Sequence, residues 1–491
     1  MAPPPAPTPV PPPAPTPVPP PTPTPTPTSV WYVAPGGSGN GSASNPFGKI
    51  QDAINLAQPG NTIIIKSGTY NETISTVRSG TASLPITIRS ESGKGTVIIS
   101  KSGNVANFSH AYNIFDGLVF DGQYGADDLV SIEGGADNLV IKNSEIKRSG
   151  RDCVDMSNPE DVLFDNITIH HCIWYAGGAQ TDAHGIASAA VQDFTIRNSE
   201  IYYVTGDSIQ VDPDRDSPGW NNILIENSKF WTGPLPGTEN GMSAGLVPGE
   251  NAVDTKSGGS FSRAVITIKN VTAYGFRNGL ISNMAAFNLK ENITANLDRI
   301  TVYDSEIAFR LRGPGSNGGA DVTIKNALIF NSTYGVRYED NIVSPKIYNS
   351  TFGANVSNPF VNASSNNTTF DVRNTLFLTN NLPSQVSGTS NKTVTTGSFV
   401  NTSSNDYHIV SSSPSVDTGV SISSVTSDRD GITRPRGITF DIGAYEYTGT
   451  IGPVPPTPPA PAPTPVPPPA PAPTPVPPPA PAPTPVPPPA P

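Results

Sequence analysis

Asn222-Ile223-Leu224-Ile225-Glu226-Asn227-Ser228-Lys229-Phe230-Trp231 decides the fold: a short strand of alternating apolar residues, an asparagine, then a second short strand. The phrase returns as Leu139-Val140-Ile141-Lys142-Asn143, Val162-Leu163-Phe164-Asp165-Asn166, Phe194-Thr195-Ile196-Arg197-Asn198, Val265-Ile266-Thr267-Ile268-Lys269-Asn270, Val322-Thr323-Ile324-Lys325-Asn326, Pro345-Lys346-Ile347-Tyr348-Asn349 and Phe370-Asp371-Val372-Arg373-Asn374. Arg299 takes the asparagine place in Leu297-Asp298-Arg299-Ile300. Corner-to-corner steps run from 23 to 43 residues, so a fixed coil carries loops of unequal size. Period-two alternation puts residues i and i+2 on one face and excludes a helical solenoid. Parallel strands about 4.8 Å apart would set each corner asparagine above the next, where amides hydrogen-bond along the stack. The expectation is an all-β chain, a single right-handed parallel β-helix solenoid that grows by adding coils and needs no second domain.

Composition divides the chain. Of 56 prolines, 16 lie in residues 1–28 and 24 in residues 452–491; both ends read as disordered Pro/Thr-rich linkers, semi-rigid spacers unable to build a core. Neither carries a charged side chain, so the net charge of −11 belongs to the β-helix domain, residues 29–451. That acidity argues against nucleic acid and anionic membranes. No stretch is apolar and long enough to span a bilayer, and Met1 leads directly into proline without a signal-peptide pattern, so the chain is expected to be a monomeric module of a longer, secreted, multimodular protein. Cys153 and Cys172 fall in neighbouring coils, where either a disulfide or two buried thiols would fit.

Trp31-Tyr32-Val33-Ala34-Pro35-Gly36-Gly37, followed by the amphipathic stretch Ile50 to Ala57, resembles the N-terminal cap of secreted, pectate-lyase-like β-helix proteins, whose capping helix hides the apolar interior of the first coil. The string Asp428-Arg429-Asp430-Gly431, Arg434-Pro435 and Phe440-Asp441-Ile442-Gly443-Ala444-Tyr445 resembles the closing segment of extracellular bacterial β-helix proteins. The resemblance implies the fold and leaves activity open, because one fold hosts many functions.

Residues at equal offset from the corner form columns. Three places on, Ile146, Ile169, Ile201, Phe230, Val302 and Ile329 face inward. Four places on, His170, Tyr202, Trp231, Tyr274, Tyr303 and Phe330 face outward, a row of rings commensurate with a glycan chain, or a stack that serves only as packing. In the following strand, alignment on inward Val154, Ile186, Ile209, Val253, Leu280, Phe309 and Val336 puts Asp155, Gln210, Asp254, Ile281, Arg310 and Arg337 outside, with Asp212, Lys256, Asn283, Arg312 and Glu339 two places further. Carboxylates beside bases suit a salt-bridged surface or an acidic-sugar site.

Such a site would perform β-elimination: a cation neutralises the uronate carboxylate, acidifying the neighbouring carbon-bound hydrogen, and a Lys or Arg removes it. Lys256 and Arg277 are similar in type and spacing to the Lys and Arg pair of the alginate and chondroitin β-helix lyases, although Asn278 stands where that family has His; Arg310 and Arg312 complete the set. No cofactor is required. Calcium, if bound, would be held by the alternating carboxylates Asp212, Asp214 and Asp216 with Asp254, a run lacking the glycine and closing Glu of an EF-hand-type loop. A glycoside hydrolase would have to use Asp152, Asp155, Asp182 and His184.

The reading preferred from sequence is a carbohydrate-binding module for plant-type polysaccharide, xylan by resemblance to β-helical binding modules. It would use Tyr202, Trp231, Tyr274, Tyr303, Asp254 and Lys256 and be tethered to a catalytic domain whose effective concentration it raises. The alternative is a lyase with Lys256 as base; an adhesin is the third.

Overall fold

The computed structural model describes residues 29–212, 214, 219–313, 318–364, 368–387 and 390–449. Both proline-rich tails lie outside the described residues.

Thirteen short strands, from Val30–Val33 to Asp371–Arg373, stack in parallel as the first face of a solenoid. After each corner asparagine comes a second face, with strands such as Glu145–Ser149, Thr168–Cys172, Glu200–Val204, Lys229–Trp231 and Thr272–Tyr274. Beyond a second bend lies a third face, which includes Val154–Ser157, Ile186–Ala189, Ile209–Val211, Asn251–Thr255 and Ala285–Lys290. Strands Thr301–Arg312 and Leu328–Tyr338 run through that bend, so the second and third faces join in one 22-stranded sheet. This is a parallel β-helix.

The corners explain the asparagines. Asn143, Asn166, Asn198, Asn227, Asn270, Asn326, Asn349 and Asn374 all have φ between 48° and 56°, the left-handed region that asparagine tolerates best among side-chain-bearing residues. Their amides link coils directly at Asn166 to Asn143 (2.8 Å), Asn270 to Asn227 (2.9 Å) and Asn374 to Asn349 (3.3 Å). Elsewhere the expected ladder is replaced: Asn143, Asn198 and Asn326 donate to Asp116, Asp165 and Asp298 at the strand ends, each at 2.8 Å.

Inside, fully buried rings such as Phe120, Phe164, Phe194, Phe230, Phe287 and Phe309 fill the bore. The helix Ile50–Leu56 contributes Ile50, Ala53 and Ile54 to the same core. Cys153 and Cys172 form a disulfide between successive coils. At the other end, residues 413–447 fold back along the last corners: Asn374 donates to the Val420 carbonyl (2.7 Å) and Asn349 to that of Asp441 (3.2 Å). Arg434 and Glu446, both completely buried, pair at 2.7 Å, an arrangement sustained because Arg434 also donates to the Asp441 and Gly443 carbonyls.

Candidate functional site

On the third face the outward column reads Asp155, Ala187, Gln210, Asp254, Asn288, Arg310 and Arg337. One member corrects the sequence alignment: Val253 lies beside Phe287, so Asn288 rather than Ile281 follows Asp254, and Lys290 rather than Asn283 precedes Arg312. Leu280, expected inside, is 48% exposed on a loop. The alternation Ala285, Phe287, Leu289 is the sequence signal that marks the inward residues of this coil.

Two insertions wall this column. One is the hairpin of Trp174–Ala176 and Ala179–Thr181; the other is the loop 232–250. Gln180 and Gly249 clasp them together, Gln180 Nε2 donating to the Gly249 carbonyl (3.3 Å) and the Gly249 amide donating back to Oε1 (3.2 Å). Leu235 and Met242 pack on Ile173 beneath. Each insertion returns to the third face on an acid, Asp182 and Glu250. The outcome is a polar hollow of about 230 Å³ that runs from Asp182, Glu250 and Asp254 to Arg310 and Arg312 two coils on, with Lys256 and Lys290 beside Asp254.

Its electrostatics are strained by burial. Asp254, 3% exposed, lies 2.9 Å from Lys290 Nζ and 3.7 Å from Lys256 Nζ. Burial and the neighbouring Asp207 push its carboxyl up to about 6 against the pull of both ammonium groups. Glu250 is pushed to about 8, by burial first and then by Asp207, Asp182 and Asp254. Asp207, fully buried and also raised by burial, accepts from the Asn251 backbone amide (3.1 Å), Asn251 Nδ2 (2.7 Å) and Gln210 Nε2 (2.9 Å). At the basic end Arg310 and Arg312 reach Glu339 at 2.9 and 2.7 Å, with Arg337 at 3.8 Å. Burial opposes ionisation of Glu339, yet Arg310 and Arg312 hold its carboxyl below the usual range.

The other predicted residues fall into place unequally. Arg277 does not join Lys256: it stands 3.9 Å from Asp304, donates to the Asn331 carbonyl (3.3 Å) and lines an adjacent hollow with Glu306. The proposed calcium set is described only in part. Asp212 is buried in a left-handed conformation (φ 52°), Asp214 is exposed, Asp216 lies outside the described residues, and Asp254 sits beside Gln210 in the grip of two lysines. Among the described residues no three acidic or imidazole groups stand together at the spacing of a metal site. No step below runs through calcium. The hydrolase set is likewise split. Asp152 accepts the His184 backbone amide (2.6 Å), His184 Nδ1 accepts that of Asp207 (2.8 Å), Asp155 lies three coils from Asp254, and only Asp182 lines the hollow.

The outward aromatic column is continuous. His170, Tyr202, Trp231, Tyr274, Tyr303 and Phe330 stack with centroids 4.5 to 5.8 Å apart and interplanar angles of 4° to 8°. The rings thus spend their faces on one another and turn their edges outward, whereas sugar stacking needs an open face. Trp231 Nε1 donates to Glu200 (2.6 Å), and Phe330 is buried against Tyr407.

No protein-family model matches the chain. It is 40% identical over 78 residues to the uncharacterized protein YwoF of Bacillus subtilis, covering 16% of each chain. It is 39% identical over 71 residues to pectate lyase PEL9 of Emericella nidulans, 14% of this chain and 17% of that one. The match thus spans about a sixth of the length of these curated relatives. Among solved structures, pectate lyase Pel9A has a TM-score of 0.46 at 17% identity, over 86% of this chain and 97% of that one. A rhamnogalacturonan lyase has 0.49 at 15% identity, over 76% and 90%. The stacked parallel faces described above are those of a parallel β-helix.

Proposed function

We propose that the chain is an extracellular polysaccharide lyase that cleaves a uronate-containing glycan by β-elimination in the third-face cleft. The observation that carries this is the placing of Lys290 between Asp254 and Arg312, in one hollow with Lys256, Arg310 and Glu250. The Arg310 and Arg312 guanidiniums neutralise the uronate carboxylate, which acidifies the hydrogen on the adjacent ring carbon. Lys290, in register with Arg312 one coil on, then meets that hydrogen and, unprotonated, takes it as a proton; the electron pair left behind becomes the carbon–carbon double bond as the bond to the glycosidic oxygen breaks. Glu250, whose carboxyl keeps its proton at neutral pH, supplies one to the departing oxygen. Lys256, one coil earlier, orients Asp254 rather than acting as base. An oxidising compartment is consistent with the Cys153–Cys172 bridge.

The test is incubation with pectate, alginate and glycosaminoglycans, with and without added calcium, followed by the ultraviolet absorbance of unsaturated uronates. Product that disappears in Lys290→Ala is expected; no product from any uronate polymer sinks the reading. A second reading, the tethered xylan-type binding module, is favoured by the free phenol groups of Tyr202, Tyr274 and Tyr303 along the ladder edge, which make no hydrogen bond among the described residues. It requires retardation on xylan in affinity electrophoresis, lost in Trp231→Ala.

A further inference from the structure

The aromatic ladder ends in a second hollow that the cleft chemistry does not use. Beyond Phe330 the segment 402–407 crosses the end of the row and seats the buried Tyr407 ring 5.4 Å from that of Phe330. Between this segment and the second bend lies a space of about 280 Å³ floored by Tyr303, Phe330 and Tyr407.

Its rim is polar for a conformational reason. Asp304, Asn331 and Asn355 occupy the second bend of three successive coils with φ of 49°, 47° and 57°, and Asn405 caps a 3₁₀ turn opposite them at φ 61°. Left-handed positions select Asn and Asp, so planar amide and carboxylate groups accumulate around an apolar floor. Asn331 Nδ2 donates to Asp304 Oδ1, which orients that carboxylate. The Asn355 and Asn405 side-chain amides make no hydrogen bond among the described residues, and both residues are exposed at the rim. Planar groups with paired donors and acceptors match the vicinal hydroxyls of a pyranose, held over an apolar floor of ring edges. Among the described residues no lysine or arginine lines the hollow itself, Arg277 standing behind Asp304 at 3.9 Å, and the Asp304 carboxylate on the rim disfavours an acidic sugar.

We propose that this hollow binds a neutral pyranose unit of a polysaccharide, as a site separate from the cleft and independent of the elimination chemistry. The experiment is isothermal titration of the full chain with xylohexaose, cellohexaose, mannohexaose and trigalacturonate. Asn355→Gly and Asn405→Gly remove the amides yet keep the left-handed backbone, so folding is preserved and is checked by the melting temperature. One neutral hexasaccharide should bind, each substitution should weaken it about tenfold, the loss of one hydrogen-bonding group, and uronate cleavage should stay unchanged. The proposal is overturned if no neutral hexasaccharide binds, if binding survives both substitutions, or if trigalacturonate alone is lost with them.

Discussion

Replacing Glu250 by Gln offers a quantitative test of the cleft. Glu250 stands where the loop 232–250 returns to the third face, and burial, then Asp207, Asp182 and Asp254, lift its carboxyl from 4.5 to about 8. Between those pH values the unfolded chain has lost the proton and the folded chain still holds it. The contribution to stability is therefore complete below about pH 4.5, declines as pH rises, and is gone above about 8. At about 1.36 kcal/mol per pH unit, the decline across that window amounts to about 5 kcal/mol. Gln cannot ionise and escapes it. Urea midpoints followed by tryptophan fluorescence from pH 4 to 9 should show the variant no more stable than wild type at pH 4 and more stable by several kcal/mol at pH 9. Asp254, also raised, titrates in both proteins. Parallel stability curves would refute the reasoning, because they would mean that Glu250 ionises normally and cannot serve as the proton donor.

Four further outcomes follow from the same geometry. Lys290→Ala should lower lyase turnover by about 10²–10⁴-fold, the usual worth of a general base, while Lys256→Ala should chiefly raise KM; equal loss of turnover in both would reject the assignment of roles. Cys153→Ser should cost about 3 kcal/mol in denaturant titrations, since the bridge closes a 19-residue separation between coils, and a change under 1 kcal/mol would show that stacking alone holds them. His408, between Asp406 (2.6 Å) and Asp430 (2.7 Å), has its pKa raised above 6.5 by those carboxylates although burial opposes it. Its stabilisation should be full at pH 5 and fade as pH rises past that raised value, so His408→Gln and wild type should converge in melting temperature in alkaline buffer and differ in acid. Trp231→Ala removes two stacked contacts, to Tyr202 and Tyr274, and should destabilise by about 1–3 kcal/mol beyond the lost burial, visible as a lower melting temperature.

The repeat and its corners were legible because they obey local rules. Alternation at period two and an asparagine that accepts positive φ are properties of a few adjacent residues, so the faces, the inward column from Ile146 to Ile329 and the outward ring column could be aligned by counting from each corner. Counting failed on the third face, where a loop of unpredictable length separates Gly275 from Ala285. There Phe287, not Leu280, continues the inward row, and this register is what brings Lys290 into the cleft.

What the sequence determined by itself was the stacking of coils, since period and corner chemistry are written in each strand. Only the tertiary structure decided where the chemistry gathers. Asp182, Glu250, Asp254 and Lys290 come together because two insertions, clasped through Gln180 and Gly249, fold over one face, where Asp254 and Lys290 are buried. The direction in which ring faces point is likewise a property of neighbouring coils, which is why a row of aromatic residues legible in sequence turned out to stack upon itself. Burial and repulsion between groups distant along the chain depend on distances that no local pattern encodes, and those distances govern proton affinity in the cleft.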